Sequence, residues 1–152
     1  MHTPHQPPSG PLSSSCSLQL RVRYSECDPM GVAHHASYAP WMEMGRTELL
    51  RASGVSYAKL ETEGVFLVIA KLEINYKRPI RYDDMVEVRT TWKGGGRVKI
   101  VHEYELWVVE HGGHAMGNIA ASGGDVPVLC ATASTMLACV DAKGALRALP
   151  GW

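Results

Sequence analysis

Hydrophobic and polar positions alternate along most of this chain, and the period changes in one place. Residues 18–24 set Leu18, Leu20, Val22 and Tyr24 against Gln19, Arg21 and Arg23, the period of two that a strand requires. From about residue 37 to 52, Tyr38, Trp41, Met42, Gly45, Leu49 and Ala52 fall near one face at 3.6 spacing. Glu43, Arg46, Glu48 and Arg51 occupy much of the remaining surface. That spacing predicts a helix, with Pro40 in the first turn, where its missing N–H forfeits no bond, and Ser53-Gly54 as the stop. Period two returns at 70–77, entered through the apolar run 65–69, and again at 85–92 and 97–109, and a last strand at about 128–140 is small and apolar on both faces. Gly94-Gly95-Gly96 reads as the hairpin turn between the third and fourth strands. The predicted order is β-α-β-β-β-β.

One helix cannot cover both faces of such a sheet, so the pattern predicts a second face buried against another subunit. A length of 152 residues suits one compact domain with a real core. Lys+Arg and Asp+Glu number 15 each, a balance that gives no net field for nucleic acid or an anionic membrane. No apolar run approaches the ~20 residues that span a bilayer. Residues 1–16, rich in Pro and Ser, read as a disordered tail without the basic start or apolar stretch of a secretory signal. Residues 17–141 form the expected domain and 142–152 a C-terminal tail. Cys16, Cys27, Cys130 and Cys139 have no metal-ligand spacing and are expected to stay reduced in a cytoplasmic protein.

The candidate chemistry lies between Tyr24 and Arg46. Asp28 stands in a Pro/Gly turn that runs into the predicted helix. A helix start offers unpaired backbone N–H groups and the positive end of the peptide dipole. An oxyanion forming there is stabilised while the neighbouring carboxylate attacks or activates water. An acidic residue before a helix is also common in any soluble protein, so this feature alone decides nothing. Cys27 beside it invites a thiol mechanism, but a nucleophilic cysteine needs a base to lower its pKa, and no such arrangement is visible. His111 and His114 share HxxH spacing in the glycine-rich stretch 110–127, with no further ligand nearby. That stretch reads as a mobile connection, with a place at the border of the site's entrance as the lesser alternative.

Asp28-Pro-x-Gly31, His35-Ala36-x-Tyr38 and Glu43-x-x-Arg46-Thr47-Glu48 together resemble the signature of the hotdog-fold acyl-CoA thioesterases. The groups most similar are the 4-hydroxybenzoyl-CoA thioesterase family and its YbgC-type relatives. The likeness continues through Leu72-Glu73-Ile74-Asn75-Tyr76-x-x-Pro79-Ile80-x-x-Asp83-Asp84 and covers about residues 18–141. It implies an α+β fold, a single hotdog domain whose curved antiparallel sheet wraps one long central helix, assembled as a homodimer or homotetramer. It implies hydrolysis of an acyl-CoA thioester, with CoA part of the substrate and no other cofactor. Asp28 would be nucleophile or general base, the backbone N–H at His35 would polarise the carbonyl, and Gly31 would let backbone and thioester approach. Tyr24, Tyr38, Trp41 and Met42 are the expected acyl contacts, and Arg78 and Arg97, with Arg81 and Lys99, the expected contacts to CoA phosphates. Ser37 replaces the asparagine usual in an H-A-N-Y run, where it can still cap the helix. A hotdog hydratase or dehydratase, or a non-catalytic acyl-binding protein, is the alternative. Hydratases of this fold tend to carry Asp-x-Asn-Pro-x-His, and Cys27-Asp28-Pro29-Met30-Gly31 lacks that placement.

Overall fold

The computed structural model describes residues 14–113 and 123–150. The expected tail up to residue 13 and residues 114–122, which include His114 and half of the stretch 110–127, lie outside the described residues. Strand β1 (Ser15–Arg21) leads through two 3-10 turns (Tyr24–Glu26 and His35–Ser37) into helix α1 (Tyr38–Ala52). A short helix α2 (Tyr57–Thr62) follows, then β2 (Phe66–Tyr76), β3 (Met85–Gly95), β4 (Lys99–Glu110) and β5 (Val128–Val140). All strand pairings are antiparallel, in the order β1-β3-β4-β5-β2.

The elements match the periodicity, with six differences. The first strand begins at Ser15, inside the stretch expected as tail, where Ser15 and Cys16 pair with Thr91 and Thr90. It stops at Arg21, not Tyr24, because the Glu26 carboxylate accepts the Arg23 N–H and turns the chain into a 3-10 helix. β3 runs through Gly95, which pairs with Ile100, so the hairpin turn falls after the glycine run begins. α2 has no counterpart in the pattern, being six residues long; Ser56 starts it by accepting the Lys59 N–H. In β2 the register shifts between Ile69 and Lys71, which breaks the alternation at Ala70. That bulge puts Leu67, Ile69, Leu72, Ile74 and Tyr76 opposite the core-facing positions of β5. The chain after β5, expected as a tail, folds back, Arg147 N–H reaching the Cys139 carbonyl and Leu149 N–H that of Arg97.

The core lies between α1 and the sheet, where Tyr38, Trp41 and Met42 meet Ile80, Val86, Val88, Tyr104 and Leu106. Gly45 allows this contact, since a Cβ there would stand 2.3 Å from Thr90 Oγ1 on β3. Arg46, expected on the solvated face, is instead buried, its guanidinium near the Tyr57 and Tyr104 hydroxyls and 3.8 Å from the Glu43 carboxylate, while Ala52 is exposed. His102 on β4 lies near this guanidinium, 7 % exposed, its Nδ1 without a hydrogen-bond partner among the described residues.

Burial, and secondarily the Arg46 charge, push the His102 pKa down from 6.5 to about 4. The folded chain therefore binds fewer protons than the unfolded chain between those values. Stability from this site is complete above about pH 6.5 and is lost as the pH falls towards 4, by roughly 3 kcal/mol in all. Urea unfolding at pH 7 and pH 4.5 should show His102→Phe losing about 2 kcal/mol less stability than the wild type on acidification, the remainder being lost below pH 4.5. Parallel losses in the two proteins would contradict it.

Candidate active site

Residues 26–34 form a short hairpin standing at the start of α1. Its base is closed by the His34 N–H donating to the Glu26 carbonyl at 2.8 Å, and a bridge between Cys27 and Ala33 follows. At the tip, Asp28 N–H donates to Val32 O (2.9 Å) and Gly31 N–H to Asp28 O (3.0 Å). The Asp28 Oδ1 accepts the Met30 N–H at 2.8 Å, an Asx turn that fixes one carboxylate oxygen. Gly31 has φ 76°, so its conformation, not only close approach of a ligand, requires glycine. Cross-links to the segment before β3 hold the hairpin down: Ala33 N–H to Ile80 O (2.7 Å), Tyr82 N–H to Gly31 O (3.3 Å) and a Val32–Arg81 bridge.

The helix start lies immediately beyond. His34 Nδ1 accepts the Ala36 N–H, and the Ser37 N–H reaches the His34 carbonyl. The His35 N–H has no acceptor among the described residues, and the His35 carbonyl accepts the Tyr76 hydroxyl at 3.1 Å. Ser37 does not cap α1 with its side chain; its hydroxyl donates to the Glu26 carbonyl at 2.8 Å, tying helix to hairpin. Asp28 is half-buried and the His35 ring exposed, stacked on His34 with centroids 4.1 Å apart. One hairpin thus carries the carboxylate at its tip and leads into a helix start whose His35 N–H has no acceptor among the described residues.

The other predicted residues scatter. Tyr24 is exposed and turns its ring edge to Tyr82 at 5.9 Å. Tyr38, Trp41 and Met42 are buried in the core beneath the hairpin, Tyr38 meeting the half-exposed Tyr76 ring edge-on at 4.9 Å. Arg78 lines a cleft of about 240 Å³ with Arg81, His111, Asp125 and Cys130, close to the segment that holds the hairpin. His111 Nδ1 lies 3.5 Å from the buried Asp84 carboxylate. Arg97 lies past the far end of β3, whose 11 residues are about 33 Å of extended chain. Asp28 and Gly31 thus share the hairpin tip, His35 follows the hairpin's base, Arg78 precedes the segment that holds the hairpin, and Arg97 lies past the far end of β3.

Cys27 is not poised as a nucleophile. Burial first, then the carboxylates of Glu26, Asp28 and Asp84, raise its thiol pKa above the usual value, so the thiolate is disfavoured. Two residues that sequence reasoning passed over belong to the site. Tyr76 reaches it only because the β2 bulge sets its face. Glu26 joins it through contacts 11 and 15 positions away in sequence.

The family described as the Thioesterase-like superfamily matches residues 22–151. Among curated proteins, the chain is 36% identical over 89 residues to the putative acyl-CoA thioesterase YneP of Bacillus subtilis, covering 59% of this chain and 64% of that protein. It is 42% identical over 71 residues to the acyl-CoA thioester hydrolase YbgC of Escherichia coli, covering 47% of this chain and 53% of that protein. The matches therefore span between about half and two thirds of those relatives. Among solved structures, a DHNA-CoA thioesterase from Staphylococcus aureus superposes with a TM-score of 0.75 at 29% identity, over 89% of this chain and 80% of that one. The 4-hydroxybenzoyl CoA thioesterase from Pseudomonas sp. strain CBS-3 gives 0.72 at 20% identity, over 90% and 93%, a likeness of fold alone.

Proposed function

Because the chain belongs to the thioesterase-like superfamily, we propose that it hydrolyses acyl-CoA thioesters to the free acid and CoA at the Asp28 hairpin. Its fold is the hotdog fold, the sheet-around-helix architecture that the sequence led one to expect. The observation that carries the reading is that one short hairpin fixes the Asp28 carboxylate through the Met30 N–H and runs directly into the start of α1, where the His35 N–H has no acceptor among the described residues. With Oδ1 held by Met30, Oδ2 faces the thioester carbon, either attacking it to give a mixed anhydride or taking a proton from the attacking water. The His35 N–H and the start of α1 receive the carbonyl oxygen as it gains charge. The C–S bond then breaks, CoA leaves as its thiol, and water supplies the acid's second oxygen. CoA arrives as substrate, and no separate cofactor enters the scheme. Arg78 and Arg81, which line the neighbouring cleft, are the proposed contacts to its phosphates.

The test is release of free CoA thiol, followed with a thiol reagent, from CoA esters of straight, branched and aromatic acids. Saturable release from at least one class is expected. No thiol release from any, with the esters bound, would favour an acyl-binding role.

The active unit is proposed to be a homodimer built on β2 or a tetramer of such dimers. β2 is a sheet edge, and it leaves Val68, Ile69, Leu72 and Tyr76 between 43% and 51% exposed. A long apolar edge of this kind is an aggregation risk unless another strand covers it. The Tyr76 ring also borders the helix start, so the partner would stand against the site. Light scattering should give two or four times 16.6 kDa, and Leu72→Glu should shift the protein towards monomer. A wild-type mass of 16.6 kDa would contradict the assembly.

A further inference from the structure

We propose that Glu26 is the positioning residue of this site: it holds the Asp28 hairpin at a fixed angle to α1, and turnover depends on that hold. The proposal rests on Asp28 as the reacting carboxylate.

Glu26 gathers contacts from three separate segments. Its Oε2 accepts the Trp41 indole N–H at 2.6 Å, and Trp41 is buried in the first turn of α1. Its Oε1 accepts the Arg23 main-chain N–H at 2.8 Å and lies 3.3 Å from Arg23 Nε. Its carbonyl accepts both the His34 N–H and the Ser37 hydroxyl, each at 2.8 Å. The hairpin base, the chain entering it and the helix leaving it thus converge on one residue whose side chain is only 12% exposed. Hydrogen bonds to a carboxylate are shorter and stronger than neutral ones, and the Trp41 contact has that length.

Among the described residues, the rest of the hairpin has no comparable tie to α1. Asp28, Pro29 and Met30 form a tip whose side-chain bond is internal, from Met30 N–H to Asp28 Oδ1. The sheet-side links through Ile80, Arg81 and Tyr82 hold the hairpin to the segment before β3, not to α1. Among the described residues, the contacts of Glu26, with the Ser37 bond to its carbonyl, are what tie this hairpin to α1, and through the hairpin's own ladder they hold Asp28 relative to the helix start that carries the His35 N–H. A displacement of about 1 Å in such a pair can cost ~100-fold in rate. Glu26 is not itself the reacting acid, because both its oxygens are already engaged. Burial opposes its ionisation, but those bonds outweigh burial, hold its pKa below the usual carboxylate range and keep it charged at neutral pH.

Glu26→Ala, Glu26→Gln, Trp41→Phe and the Glu26→Ala/Trp41→Phe double variant test this, with Asp28→Asn measured alongside in the thiol-release assay. Glu26→Ala is expected to lower kcat ~30- to 100-fold with KM within about threefold of wild type. Glu26→Gln keeps one acceptor oxygen and should fall between alanine and wild type. Trp41→Phe keeps an aromatic ring in the core but loses the indole donor. It should reproduce most of the alanine effect, and the double variant should be little worse than Glu26→Ala alone. Alanine turnover equal to wild type, glutamine no better than alanine, or additive losses in the double variant would each overturn the proposal. Should Glu26→Ala fail to fold, Trp41→Phe decides alone: an unchanged kcat overturns it, and a loss in kcat without one in KM supports it. An inactive Asp28→Asn beside a fully active Glu26→Ala sinks this inference and spares the parent reading. An active Asp28→Asn sinks both.

Discussion

Asp28→Asn is expected to fold and bind CoA esters as the wild type does, and to lose about 10²- to 10⁴-fold in kcat. The amide keeps the size of the side chain and can accept the Met30 N–H, so the Asx turn at the hairpin tip survives. What it lacks is the negative charge that attacks the carbonyl carbon or takes a proton from water. KM should change little, because the carboxylate acts as the transition state forms and not in holding the substrate. Steady-state thiol release checks this, and turnover unchanged by the substitution would remove Asp28 from the mechanism.

Trp41→Ala should cost about 3–5 kcal/mol of stability, the range for deleting a large buried aromatic side chain. Trp41 is 1% exposed and packs in the main core against Tyr38 at 5.1 Å between ring centroids. The upper end is expected, since removing the indole also leaves the Glu26 carboxylate short of a donor in a mostly buried position. Urea unfolding followed by far-UV circular dichroism measures it. A loss under about 1 kcal/mol would mean that the α1–sheet core tolerates the cavity by collapsing into it.

How much of this was legible in the chain depends on the range of the interactions. The long strands and α1 were readable, because their alternating and 3.6-residue patterns are local and each serves a single buried face. The Asp28 turn was readable too, since a Pro/Gly tip leading into a helix is written in consecutive residues. Arg46 was misplaced because its burial rests on phenol partners at Tyr57 and Tyr104, far along the sequence. Glu26 escaped for the same reason: its value comes from Trp41, His34 and Ser37, and no local rule marks a glutamate that bonds to all three. The face that Tyr76 occupies depends on a bulge at Ala70, and period-two reading has no means to see an extra residue. Arg97 looked like a site residue only as an exposed base on a strand; the length of β3 carries it away from Asp28 in its own chain.

The most direct measurement is a crystal structure of the Asp28→Asn protein holding an intact CoA ester. The thioester oxygen should lie about 3 Å from the His35 main-chain nitrogen, with the substituted side chain at position 28 facing the carbonyl carbon. A thioester bound elsewhere, or a side chain at that position turned from it, would contradict the placement of the reaction at this hairpin.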